Sequence, residues 1–178
     1  MKRFIVIMGL VSVGMLKLLN AQESTVKWYS FEEAIEMNKS EQRKIFIDVY
    51  TDWCGWCKKM DATTFNNPGI AKILNEQYYA VKFDAETNDT ISFAGKEFIN
   101  EGGRNRSPHQ LAVALLQGKM SYPSVAYLNE QNQLLTAVPG YYTPDRLEPI
   151  LMFFAEDAFK TQSFDEFTKK FNSGNKTN

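Results

Sequence analysis

The stretch Lys44-Ile45-Phe46-Ile47-Asp48-Val49-Tyr50-Thr51-Asp52-Trp53-Cys54-Gly55-Trp56-Cys57-Lys58-Lys59-Met60-Asp61-Ala62 decides the fold of this chain. Its first seven residues are apolar and β-branched or aromatic except at Lys44 and Asp48, the composition of a buried strand. Its last five read as a helix. Between them lie both cysteines of the chain, two residues apart. The spacing sets the first thiol where a strand hands over to a helix N-terminus, a position that favours a thiolate. Two thiols so placed can close a small ring and reopen it, the minimum equipment for exchanging electrons with a disulfide.

Working outward, the same two element types recur. Ser30-Phe31-Glu32-Glu33 is a capping box that opens a helix with Phe31, Ala34 and Ile35 on its apolar side. Pro68 suits the first turn of a helix carrying Ile70, Ile73 and Leu74, and residues 78–83 read as a second strand. Residues 85–106 carry loop signals, with a short apolar patch over 93–99. Ser107-Pro108-His109-Gln110 predicts a helix whose buried face is Leu111, Leu115 and Leu116. Residues 124–128 and 134–138 form a predicted antiparallel hairpin around a polar turn. Thr143-Pro144 opens a long helix to about residue 159, and Ser163 starts a short last one. Early strands separated by helices imply parallel pairing, and a late hairpin implies an antiparallel edge. The expected fold is α/β, a central mixed sheet with helices on both faces.

Composition bounds the function. The 178 residues suffice for one domain with a real core, and 44% apolar with 23% charged residues is ordinary for a globular protein. The formal charge of −1, without a basic run, argues against a nucleic-acid surface. Lys2 and Arg3 precede an apolar stretch over residues 4–16, and Ala21 offers a cut site, the layout of a secretory signal peptide. An uncleaved N-terminal anchor is the alternative reading. Cleavage after Ala21 removes Lys2, Arg3 and Lys17 and leaves 17 basic against 21 acidic residues, a formal charge of −4. The expected organisation is a signal peptide over 1–21, one domain over 22–172 with an insertion at about 88–119, and a disordered tail over 173–178. The expected location is periplasmic or secreted, where disulfides persist. Yet a pair this close staples nothing, so its purpose is chemical. A zinc site needs further ligands, and the chain has one histidine and no third cysteine.

With Trp53-Cys54-Gly55-Trp56-Cys57-Lys58 after the first central strand, the chain resembles the thioredoxin superfamily, and within it the secreted bacterial thioredoxin-like proteins with a W-C-x-W-C-K-x-M signature. The resemblance spans roughly residues 45–154 apart from the middle insertion. Asp48 stands six residues before Cys54, where the family keeps a buried acid that assists proton transfer. Tyr122-Pro123-Ser124 precedes the hairpin at the family's cis-proline, and Gly140 follows it where the family has a glycine bordering the substrate groove. The chain departs from classical thioredoxins at Trp56, where they have proline, and in lacking the proline that kinks the active-site helix.

The resemblance implies a thioredoxin-like fold with a helical insertion before the cis-proline hairpin. It implies a thiol–disulfide oxidoreductase; the reducing direction is the expected one, since an attacking thiol near ambient pH serves reduction well. Cys54 is the expected attacking thiolate, Cys57 the resolving thiol and Asp48 the proton relay. Trp53, Gly55, Trp56, Tyr122, Pro123 and Gly140 are the expected substrate contacts. Trp56 is expected to be exposed, Trp53 to be partly in the core and His109 to be a surface residue. No cofactor or metal is needed. The expected partners are protein disulfides and a membrane thiol–disulfide reductase as electron donor, the chain itself being a monomer. An oxidase or isomerase on the same fold and a non-catalytic client-binding module are the alternatives.

Overall fold

The computed structural model describes residues 25–102 and 106–174; residues 1–21, read from the sequence as a signal peptide, lie outside them. In chain order the elements are β1 (Trp28–Tyr29), α1 (Phe31–Ser40), β2 (Lys44–Tyr50), α2 (Gly55–Met60) running into a π-helical turn (Asp61–Phe65), α3 (Pro68–Gln77), β3 (Tyr78–Asp84), β4 (Ile91–Phe93), β5 (Lys96–Phe98), α4 (Gln110–Leu115), β6 (Ser124–Leu128), β7 (Leu134–Pro139), α5 (Pro144–Ala155), a 3-10 turn (Ala158–Lys160) and α6 (Phe164–Gly174).

Five strands form one sheet in the order β1-β3-β2-β6-β7. β1, β3 and β2 pair in parallel, while β6 and β7 run antiparallel. β2 is central because its residues are apolar on both sides. Ile45, Ile47 and Val49 point into one core with Phe31, Leu111 and Leu115 of α1 and α4. Phe46 points into the other, with Met60, Leu74, Leu147 and Leu151 of α2, α3 and α5. The two-residue period of the strand thus divides the sequence between two helical layers. This is the thioredoxin-like α/β fold, with a mixed sheet and helices on both faces.

Local signals account for most element ends. Ser30 Oγ accepts from Glu33 N–H at 3.2 Å, and Glu33 Oε2 accepts from Ser30 N–H at 2.8 Å, so the capping box is closed. Asn67 caps α3 ahead of Pro68. Three stretches differ from expectation. Residues 85–106, read as loop, contain the hairpin β4–β5, tied to α1 by the edge contact of Phe31 with Phe93 at 5.1 Å. α4 starts at Gln110, not at Pro108, because His109 is its N-cap: the imidazole Nδ1 accepts from Leu111 N–H at 3.1 Å. His109 is therefore fully buried, against Phe83, and is no surface residue. Ser173 and Gly174, expected in the tail, continue α6, and residues 175–178 lie outside the described residues.

Candidate active site

The turn between β2 and α2 presents the two cysteines. Cys54 is the N-cap of α2, in extended backbone, and Cys57 lies one turn in. They are joined as a disulfide. Cys57 N–H donates to Cys54 Sγ at 3.0 Å, a contact of the kind that supports a thiolate. Both sulfur residues are nearly buried, Cys54 at 5% and Cys57 at 2% exposure, so Cys54 is the more accessible of the two.

Asp48 sits behind this turn on β2, in register with Lys82 of β3 and Val125 of β6. It is buried, and burial pushes its carboxyl up to about 6, against the pull of the Lys82 ammonium. Lys82 Nζ donates to Asp48 Oδ2 at 2.6 Å and also bonds Asp61. Asp61 is four residues past Cys57, where the π-helical turn widens the coil and swings its carboxylate onto the sheet. Asp48 Oδ1 has no hydrogen-bond partner among the described residues. Lys82 and Asp61 also line an open groove of about 620 Å³, with Trp28, Lys58 and Phe65. The groove thus reaches Lys82, the residue bonded to Asp48, and Asp61, bonded to the same lysine. Lys82 and Asp61 escape sequence reasoning because only strand register and the π turn unite them with Asp48. The single visible signal is a lysine inside the apolar run of β3.

The other expected contacts converge from the far side. The Tyr122–Pro123 peptide bond is cis, and Pro123 C=O accepts from Gly140 N–H at 2.8 Å. Gly140 has φ +105°, a conformation that side chains resist, while a Cβ there would meet nothing within 4 Å; the glycine serves the backbone path, not space. The Tyr122 ring meets Trp53 edge-on at 5.9 Å. Trp53 is half exposed, not a core residue, because its indole N–H is held by Glu86 Oε1 at 2.9 Å on the outer surface. Trp56 is more exposed still, and stands 5.3 Å from Tyr141. Gly55 lies between the tryptophans at the exposed start of α2. The nine expected residues thus lie on β2, on the turn and first residues of α2, and at the start and end of the β6–β7 hairpin.

Comparison with known proteins agrees with this architecture. The family model described as "Thioredox_DsbH: Protein of unknown function, DUF255" matches residues 12–156. The chain is similar to the uncharacterized protein B0495.5 of Caenorhabditis elegans, at 36% identity over 83 residues, covering 46% of this chain and 11% of that protein. It is similar to the thiol:disulfide interchange protein DsbD of Vibrio vulnificus, at 26% identity over 76 residues, covering 43% of this chain and 12% of the other. The chain spans about a tenth of the length of these curated relatives. Among solved structures it resembles a DsbH oxidoreductase, with a TM-score of 0.52 at 18% identity over 78% of this chain and 87% of that one.

Proposed function

The chain belongs to the Thioredox_DsbH family, and on that premise we propose that it is a thiol–disulfide oxidoreductase that reduces protein disulfides outside the cytoplasm. One observation carries the reading: the Cys54–Cys57 disulfide lies at a helix start, with the Cys57 amide aimed at Cys54 Sγ. An exposed-side sulfur whose anion is stabilised by an amide is a nucleophile. A second sulfur one turn inside, out of reach of a large substrate, is a resolving group.

The cycle begins from the dithiol. The Cys54 thiolate attacks one sulfur of a substrate disulfide, forming a mixed disulfide and releasing the other substrate sulfur as thiolate. Cys57 then gives its proton to the Asp48 carboxylate, and its thiolate attacks Cys54 Sγ. The second substrate sulfur leaves, the Cys54–Cys57 bond closes, and two electrons have passed to the substrate. A carboxyl pushed up to about 6 is ionised at neutral pH yet basic enough to accept that proton. Lys82 holds the carboxylate in place, and the groove beside it lets the proton exchange with water. The backbone at Tyr122 and the cis Pro123, with Trp53, Trp56, Gly55 and Gly140 around it, receives the substrate segment by strand-like pairing. Re-reduction requires an external dithiol, and a membrane thiol–disulfide reductase is the proposed donor. The likeness to a thiol:disulfide interchange protein supports this choice. The N-terminal pattern of residues 1–21 supports export. Among the described residues no helix is long and apolar enough to cross a membrane.

Insulin reduction by dithiothreitol, catalysed by the protein, tests the reading. Catalysis is expected from the wild type, with none from Cys54→Ser and accumulation of a mixed disulfide on Cys57→Ser. Turnover that survives Cys54→Ser overturns the reading, and tight client binding with no turnover in any form favours a binding module. An equilibrium potential near that of thioredoxin, about −270 mV, supports reduction, and one near the strong oxidants, about −120 mV, supports oxidation.

A further inference from the structure

The surface beside the disulfide is electrically two-sided. On the Trp56 side, Lys59 Nζ lies 4.7 Å from the Trp56 ring and 5.3 Å from the Tyr141 ring, so two ring faces fix a cation at the rim. Lys58 adds a second exposed cation on the same helical turn. Asp61, the carboxylate of the next turn, is already bonded to Lys82. On the Trp53 side the sign reverses. Glu86 holds the Trp53 indole N–H, and its own amide donates to Asp84 Oδ1 at 2.9 Å. Asp52 stands exposed next to Trp53 in the chain. These carboxylates act on one another and on the groove: burial first, and against the bond from the Glu86 amide the charges of Asp52 and Glu86, hold the Asp84 carboxyl above its ordinary range. Burial and then Glu86 and Asp84 push the Tyr122 phenol up to about 12. Arg106, with its guanidinium 4.9 Å from the Trp53 ring, offsets one of the three negative charges.

We propose that this polarity selects substrate: the site takes extended protein segments whose reactive cysteine has an acidic neighbour over Trp56 and Lys59 and a basic neighbour over Trp53 and Glu86. The selection deepens the oxidoreductase reading and rests on it. A segment added beside Tyr122 has one direction, so its residues before and after the cysteine fall on opposite sides of the disulfide. The two tryptophans supply contact area that any segment can use, and the charges decide which segment and in which chain direction. Complementary rim charges act chiefly on the encounter rate and weaken with salt.

Three short peptides test the proposal, each with one cysteine joined to thionitrobenzoate. One has neutral flanks, one has aspartate before and lysine after the cysteine, and one has the reverse order. Reduced Cys57→Ser protein forms a Cys54–peptide disulfide and releases the thionitrobenzoate anion, read by absorbance and by the mass of the adduct. At low salt one charged order is expected to react about fivefold faster than the other, with the neutral peptide between them, from rim pairs of ordinary strength. The gap is expected to close in about 0.5 M salt, and the double variant Lys59→Glu, Glu86→Lys is expected to reverse the order. Charged orders that react within twofold of each other in the parent overturn the selection while leaving the oxidoreductase reading intact, as does a preference unmoved by the double reversal. A neutral peptide that never forms the adduct overturns the oxidoreductase reading itself, and the selection with it.

Discussion

Two lysines of the sheet, Lys44 and Lys82, each bond two carboxylates on the same face, yet they make opposite kinds of cluster. Lys44 opens β2 and pairs with Glu130 at 2.6 Å and Asp157 at 2.9 Å. Lys82 pairs with Asp48 of the same β2 strand, four residues and about 13 Å from Lys44, and with Asp61. In the first cluster the lysine is the buried member and the carboxylates lie toward solvent. Despite some desolvation, bonds from Lys44 hold the Glu130 carboxyl, and bonds from Lys44 and Lys160 the Asp157 carboxyl, below their ordinary range. In the second, the carboxylate Asp48 is the buried member, and desolvation wins over the same kind of partner. The composition of an ion cluster therefore does not set its behaviour; the member that is buried does. One cluster pins the β6–β7 turn and the end of α5 to the sheet. The other keeps a carboxyl raised to about 6 on the strand that leads to the disulfide.

The sharpest way to break the contrast is to remove titration from the second cluster. Asp48→Asn is expected to slow resolution of the mixed disulfide on the order of 10²-fold at pH 7, the ordinary worth of a positioned base. The parent rate is expected to fall as pH drops through about 6, where Asp48 takes up a proton, and Asp48→Asn is expected to lack that step. Stopped-flow fluorescence of single turnovers from pH 4.5 to 8 measures both. A variant that keeps the parent's inflection near pH 6 removes Asp48 from the relay.

Stability should separate the clusters by sign. The Asp48 carboxyl is raised in the fold, so between its ordinary range and about pH 6 the native state binds more protons than the unfolded one, and stability falls as pH rises through that window. Asp48→Asn is therefore expected to stabilise the disulfide form by about 2–3 kcal/mol at pH 7, a gain that vanishes near pH 4. Lys44→Met is expected to do the reverse and destabilise by about 1–2 kcal/mol, because it strands Glu130 and leaves Asp157 with Lys160 alone, both where water can partly recover them. The lowered Glu130 and Asp157 carboxyls contribute stability that is present above the ordinary carboxylate range and lost as pH falls through their lowered values. The Lys44→Met deficit should thus shrink in acid. Urea unfolding of both variants across this range gives the two slopes, and slopes of equal sign would erase the contrast.

These clusters also mark how far the sequence could be read. Asp48 was visible because a carboxylate breaks an apolar strand, and the cysteines because their spacing has one plain chemical use. The layered fold followed from strands and helices in alternation, since each period names its own buried side. What stayed hidden depends on distant residues. Asp48 faces Lys82 because β2 and β3 pair in one register, and no local pattern states a register. The hairpin β4–β5 turns at Ala94-Gly95, with both residues at positive φ. Such turns are ordinarily announced by asparagine or aspartate before the glycine, and an alanine hides this one. His109 was misplaced because Pro108 looks like a first helical residue, whereas the imidazole itself caps the helix and is buried by doing so.

The smallest expected effect tests whether Asp61 belongs to the second cluster's chemistry or only to its frame. Its negative charge raises the Asp48 carboxyl directly, and its bond to Lys82 divides that ammonium between two carboxylates. Both influences oppose ionisation of Asp48. Asp61→Asn removes them together, so the inflection near pH 6 in the single-turnover rate should move to lower pH, by less than about one unit for a partly exposed charge. Lys82→Met should move it to higher pH, because it takes away the cation that favours the carboxylate. A purely structural Asp61 would leave the inflection in place and change only the urea midpoint. The direction of the shift thus tells a residue that tunes the relay from one that merely holds the π-helical turn against the sheet.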